Sequence, residues 1–183
     1  MTCHTDALPG ALRQQRNGDD AGRLMQQAEL EREIELLHPA SFSWALGCCR
    51  RNRDDAEEIL QTVYLTVLEG RAVFHGRSTL KTWLFAVIRR TATAFYRRQS
   101  IRDALFLRFF DERPHAEIQT RETGLIRALR QLPRRQREVI ELVFYHDMTV
   151  DSAAAVMGVS AGSARVHYDR AKKRLRVLLE VRP

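Results

Sequence analysis

Apolar residues recur at helical spacing along most of this chain, and no strand-like alternation lasts long. Leu30, Ile34 and Leu37 predict a helix that His38-Pro39 interrupts or ends. Phe42, Ala45, Leu46 and Cys49 form a second stripe. Asp54 or Asp55 is placed to cap the next helix, with Ala56, Ile59, Leu60, Val63, Tyr64 and Val67 on one face and Gly70 as its stop. Residues 71–78 read as a loop. Ser78 or Thr79 then starts a long helix carrying Leu80, Trp83, Leu84, Val87, Ile88, Thr91 and Phe95. Over residues 99–120 the period weakens, although Leu105, Phe106, Leu107, Phe109 and Phe110 cluster there. It returns through Leu125, Ile126, Leu129 and Leu132. Pro133 punctuates, and Val139, Ile140, Leu142 and Val143 mark a helix over 134–145. Two further pieces follow, 150–157 and 160–179, joined by Gly158-Val159. The pattern predicts an all-α chain of two small helical domains, 22–98 and 121–180. A linker over 99–120 joins them, and the second contains a helix-turn-helix.

Composition narrows the class. The 183 residues are 44% hydrophobic and 29% charged, which describes a globular chain. No apolar run is long enough to span a membrane, and the first 22 residues lack the apolar core of a secretory signal. Three cysteines are too few for a disulfide framework and fit a reducing, cytoplasmic setting without membrane insertion. Cys48-Cys49 falls on an amphipathic stretch and reads as core, and Cys3-His4 by its spacing supports no zinc site. No glycine-rich phosphate loop, nucleophile motif or metal-ligand spacing appears, so no catalytic residue, cofactor or metal is expected.

The net charge of +7 is unevenly placed. Between Glu69 and Asp103 there is no acid, and eight cations sum to +8: Arg71, Arg77, Lys81, Arg89, Arg90, Arg97, Arg98 and Arg102. Residues 161–183 carry a further +5, whereas Asp54, Asp55, Glu57 and Glu58 form an acidic patch just ahead of the first basic block. Two basic blocks on predicted helices suit two contacts with a polyanion.

The segment from Thr149 to Arg165 reads as helix-turn-helix. A small apolar helix precedes a turn at Gly158, Val159 plugs the core, and Ser160 caps a second helix bearing Arg165, Arg170 and Lys173. Arginine there has the geometry to fork onto guanine or to neutralise phosphate.

Three ordered motifs carry a resemblance. Asp55-Ala56-Glu57-Glu58-Ile59-Leu60-Gln61 with Val63-Tyr64 resembles the polymerase-binding helix of bacterial sigma factors. Ser78-Thr79-Leu80-Lys81-Thr82-Trp83-Leu84-Phe85 through Arg89 and Arg97-Arg98 resembles the promoter −10 helix. Leu132-Pro133-Arg134-Arg135-Gln136-Arg137-Glu138-Val139, then the helix-turn-helix and Arg170-Ala171-Lys172-Lys173-Arg174-Leu175, resembles the −35 reading domain. The chain is similar to extracytoplasmic-function sigma factors of the sigma-70 family, over roughly residues 24–179.

That resemblance implies a dissociable specificity subunit of RNA polymerase, not an enzyme. Core polymerase contact falls to Asp55, Glu58, Leu60, Gln61 and Tyr64, where Leu60 and Tyr64 equally fit an intradomain core. The −10 set is Phe74, His75, Arg77, Lys81, Trp83, Arg89, Arg90, Arg97 and Arg98. Within it, the 73–78 loop captures an unstacked base, a task suited to an aromatic ring and an Arg plane. Phe74 fits core as well, and Trp83 fits core better. The −35 set is Ser160, Gly162, Ser163, Arg165, Val166, Asp169, Arg170 and Lys173. Arg90 and Ala94 stand where the family commonly has Asn and Asp, and Val166 replaces a frequent Ser, which implies an individual promoter preference. Asp169 suits either a cytosine amino group or an ion pair with Lys173 one turn on. Expected partners are core polymerase, promoter DNA and an anti-sigma factor, with Phe106–Phe110 a candidate contact for the last. A second class, an autonomous helix-turn-helix repressor, predicts a dimer on a palindrome without polymerase.

Overall fold

In the computed structural model the backbone is described for residues 10–106 and 124–180, and the side chains for 27–101 and 124–179. The chain divides into one unit ending at His38 and another beginning at Pro39. All described regular structure is helical.

The first helix, α1 (Gly10–Cys48), corrects the expected break at His38-Pro39, because it continues through Pro39. Proline forfeits one backbone hydrogen bond. The residues beyond it compensate by burial: Ser41, Trp44, Ala45 and, just past the helix end, Cys49 are all in the core. In the unit ending at His38, Ile34 is buried while Leu30 and Leu37 are half-buried.

In the unit from Pro39, α2 (Arg53–Leu68) buries Ala56, Ile59, Leu60, Val63 and Val67, the face its period predicts. Its cap is Asn52, whose side chain accepts the Asp55 N–H at 3.2 Å, and not Asp54 or Asp55. The acids instead fill the first turn, where they face the positive helix end. Gly70 closes the far end in a left-handed conformation. The next helix, α3 (Leu80–Phe106), is capped by Thr79 Oγ1, which accepts the Thr82 N–H at 3.2 Å. It runs on to Phe106, so the first residues of the expected linker are helical; Leu107, Phe109 and Phe110 lie outside the described residues. The α2 and α3 helices pack together, with Leu84, Phe85 and Ile88 fully buried.

Four helices follow: α4 (Gly124–Arg130), α5 (Arg134–Ile140), α6 (Val150–Met157) and α7 (Ala161–Glu180). The helix expected over 134–145 is α5 followed by a wider π-helical turn, Glu141–Tyr145, after which Asp147 takes a positive φ of 52°. Leu129, Leu132, Ile140 and Ala171 form a core that Tyr168 and Leu175 cover. Thr149 caps α6 through the Ser152 N–H, and Ser160 Oγ accepts the Ser163 N–H at 3.2 Å to cap α7. Gly158 (φ 64°) reverses the chain between them; a side chain there would be strained. A further packing was not expected from the sequence: α6 lies against α3.

Candidate nucleic-acid and partner interfaces

The acidic patch lies at the surface and is tied to the protein at Glu57 and Asp55. Glu58 and Gln61 are exposed on α2, and Arg53 pairs with Glu57 at 2.8 Å. Asp55 is half-buried and accepts the Tyr96 phenol proton from α3 at 2.6 Å. Burial first, then this carboxylate, pushes the Tyr96 phenol above its ordinary range. Leu60 leaves the expected partner surface: it is 2% exposed, held in the α2 core face. Tyr64 is half-buried, with burial raising its phenol.

The loop ahead of α3 brings Phe74 against Trp83, with ring centroids 5.5 Å apart and planes tilted by 53°. Both rings are half-buried, and His75 and Arg77 beside them are exposed. A partly open aromatic pair next to a guanidinium is a platform on which an unstacked base fits.

The basic face of α3 is split. Arg90, Arg97 and Arg98 are exposed. Lys81 and Arg89 are engaged within the protein: Lys81 Nζ donates to the His146 carbonyl at 2.5 Å, and Arg89 forks onto Glu138 Oε2 at 3.1 and 3.3 Å.

On the helix-turn-helix, α7 presents Gly162, Ser163, Arg165, Val166, Asp169, Arg170 and Lys173 at the surface, with Ser160 capping it. Arg165 pairs with Asp151 of α6 at 2.9 Å, which holds its guanidinium at the turn. Asp169 pairs with Lys172 at 3.1 Å and not with Lys173, the i,i+3 neighbour winning over the i,i+4 one. Lys172 is further drawn over the Tyr168 ring, 4.3 Å from its centroid. Arg170 and Lys173 are exposed and make no ion pair among the described residues.

The contact between the α5–α6 segment and the helices before it uses residues that sequence reasoning missed. His146 is 5% exposed and sits edge-on to Trp44 and Phe85, at centroid distances of 5.9 and 4.9 Å. Glu141 lies over Gly47, where an added Cβ would come within 2.6 Å of Oε2, so a larger residue there would push the Glu141 carboxylate aside. Arg51 reaches the other oxygen of Glu141 at 3.9 Å. None of these residues belongs to a local motif, so no signal in the sequence marks them.

Burial, and next the Lys81 charge, lowers the His146 imidazole to about 4, against a smaller opposing pull from Asp147. Unfolded histidine takes its proton near pH 6.5, so the unfolded chain binds more protons between these values. The stabilisation from neutral His146 is therefore complete above about pH 6.5 and is lost as the pH falls towards 4. Glu141, pushed up by burial, contributes with the opposite sign. The melting temperature should fall more steeply across this window in the natural protein than in His146→Phe, which keeps the ring but not the titration. Parallel curves would remove His146 as the cause.

Among the described residues no cluster of His, Cys, Asp or Glu suits a metal ion, and no helix is long and apolar enough to cross a membrane. Comparison with known proteins matches residues 34–101 to sigma-70 region 2 and residues 123–175 to sigma-70 region 4. The extracytoplasmic-function RNA polymerase sigma factor RpoE of Cereibacter sphaeroides is 33% identical over 127 residues, 66% of this chain and 70% of that one. SigF of Caulobacter vibrioides, of the same type, is 31% identical over 126 residues, 66% and 69% of the two chains. Among solved structures, the sigma factor RpoE from Bartonella quintana, in complex with the anti-sigma factor NepR, superposes with a TM-score of 0.67. It is 25% identical, and the match covers 85% of this chain and 99% of that one.

Proposed function

This chain belongs to the extracytoplasmic-function group of the sigma-70 family, the non-catalytic specificity subunits of RNA polymerase, and on that premise we propose which surfaces do what. It acts in the cytoplasm, and core polymerase docks on the acidic start of α2, at Glu58 and Gln61 with Asp55 and Tyr64 behind them. An acidic rim beside a half-buried ring suits a basic helical partner. The −35 element is read by α7 in the major groove, with Arg165, Arg170 and Lys173 as donors, Ser160, Gly162 and Ser163 at the helix start near the backbone, and Val166 and Asp169 facing bases. The −10 strand is held by α3 cations, and one unstacked base rests on the Phe74–Trp83 pair beside His75 and Arg77. Unstacking costs a few kcal/mol per step, offset by base capture and phosphate contacts.

The observation that carries this reading is the placement of three surfaces: acid on α2, exposed cations on α3, and exposed cations on the capped α7. Likeness to a sigma factor solved with its anti-sigma factor supports an anti-sigma partner here as well. Purified chain added to core polymerase on genomic DNA should start transcripts that share one pair of upstream elements. Absence of any specific start would refute the proposal. Glu58→Lys should weaken core polymerase binding about tenfold, the scale of a rim charge reversed against a basic partner, in an equilibrium titration at low salt. It should leave the melting temperature unchanged, because Glu58 is exposed.

A further inference from the structure

One cation of α7 is tied to the helix before it. Arg165 Nη2 donates to Asp151 Oδ1 at 2.9 Å, and the two side chains are 62% and 64% exposed. Asp151 stands in the first turn of α6, where the positive helix end favours its charge. Arg165 follows Gly162 by about one turn of α7, and long helical side chains lean back towards the start of their helix. An added Cβ at Gly162 would meet no atom within 4 Å, so the face over which Arg165 leans is open to a ligand. The other charged pair on α7, Asp169 with Lys172, stays within the helix. Among the described residues, Arg165 is thus the one cation of α7 paired to another helix. Neither stability nor attraction to DNA accounts for an acid at this place. An ion pair this exposed adds little to the fold. An acid beside a polyanion opposes binding. What the carboxylate achieves is geometric.

We infer that Asp151 is a specificity-determining positioning residue for the −35 element: it holds Arg165 as a base reader and keeps it from serving as a phosphate clamp. The inference rests on the −35 reading of α7. An untethered arginine on a helix beside DNA has two uses. It swings to the nearest phosphate, which adds affinity for every sequence, or it forks onto guanine O6 and N7, which reads one base pair. The Asp151 carboxylate accepts one of the five guanidinium N–H groups, so donors remain for the fork onto guanine. It also fixes a side chain of many rotamers before DNA arrives, so less freedom is lost on binding. Against phosphate it works the other way, because its own charge repels phosphate and already neutralises the guanidinium. A group that weakens the wrong contact while it aligns the right one raises discrimination without raising affinity. Asp151 acts through Arg165 and needs no contact with DNA.

Asp151→Asn keeps the shape and removes the charge. The full free chain is titrated by anisotropy against a short fluorescein-labelled duplex of random sequence. In Asp151→Asn the slope of log affinity against log salt should steepen by about 0.9, the increment of one more phosphate contact. In an Arg165→Ala background the same substitution should leave the slope unchanged, because the guanidinium it releases is gone. With core polymerase on genomic DNA, transcripts started by Asp151→Asn should keep the −10 element of the natural protein. At one G·C position of the −35 element their base preference should fall about tenfold, within the range of a lost forked pair. The melting temperature should not move, since both side chains are exposed, so neither change is put down to damage. Preference unchanged in Asp151→Asn, while Arg165→Ala relaxes it, overturns this inference alone. Preference unchanged in Arg165→Ala strikes the base-reading role of Arg165, and absence of any specific transcript strikes the promoter reading. In both of those cases the salt slope, measured without polymerase, still tests whether Asp151 holds Arg165 off phosphate, and an unchanged slope overturns that.

Discussion

Trp44→Ala should lower the unfolding free energy by about 3–5 kcal/mol, the range for deleting a fully buried large aromatic. Trp44 is 1% exposed, stacks on Phe85 with centroids 5.8 Å apart and planes at 9°, and gives its indole N–H to the Phe85 carbonyl at 3.1 Å. It also meets the His146 ring. The loss therefore combines a cavity, a hydrogen bond of about 1 kcal/mol and two aromatic contacts. Against a total of roughly 5–15 kcal/mol for a domain, this leaves the variant marginal. Urea denaturation followed by circular dichroism measures it, and Trp44→Phe should recover most of the deficit by refilling the site. A change under about 1 kcal/mol in Trp44→Ala would mean that the site collapses freely and that Trp44 does not organise this core. Trp83→Ala is the useful contrast: its half-buried ring pairs only with Phe74 among the aromatic contacts described, so a smaller loss is expected.

The largest effect on activity is expected from reversing two charges on α7, in Arg170→Glu/Lys173→Glu. Each cation that contacts a base edge or phosphate contributes about 1–3 kcal/mol, so the pair should cost roughly 30- to 10⁴-fold in promoter-directed transcription. A second readout separates electrostatics from damage. Each phosphate that is no longer neutralised makes the dependence of log affinity on log salt shallower by about 0.9, so the slope should flatten by about 2. Both residues are exposed, so the melting temperature should stay within the small range of surface substitutions. Transcription that survives the double reversal with an unchanged salt slope would take α7 off the DNA.

Much of the fold was legible because helices announce themselves locally. The buried set of α2, Ala56, Ile59, Leu60, Val63 and Val67, follows from residues three and four apart sharing a face. The helix-turn-helix was equally plain, since Gly158, Thr149 and Ser160 each act on backbone groups within three or four positions. Local competition defeated two finer expectations. Asn52 caps α2 ahead of two eligible aspartates, and Asp169 takes Lys172 because that ammonium is already drawn to Tyr168. Pro39 stayed inside α1 because the burial beyond it outweighs one missing hydrogen bond.

What the sequence by itself determined is an all-helical chain with an acidic helix, a basic helix and a basic helix-turn-helix in that order. These depend on side-chain period and on the charge of neighbours, which a linear string contains. Only the tertiary structure decided which of those charges remain available. Arg89 and Glu138 are 49 positions apart, and Lys81 and His146 are 65 apart. In the sequence Glu138 stands within the Leu132–Val139 motif, and His146 lies just past the helix expected over 134–145. Their pairing arises when α6 packs on α3 and brings the side chains of α5 within reach, and hydrophobic packing is non-directional, so no local period encodes which two faces meet.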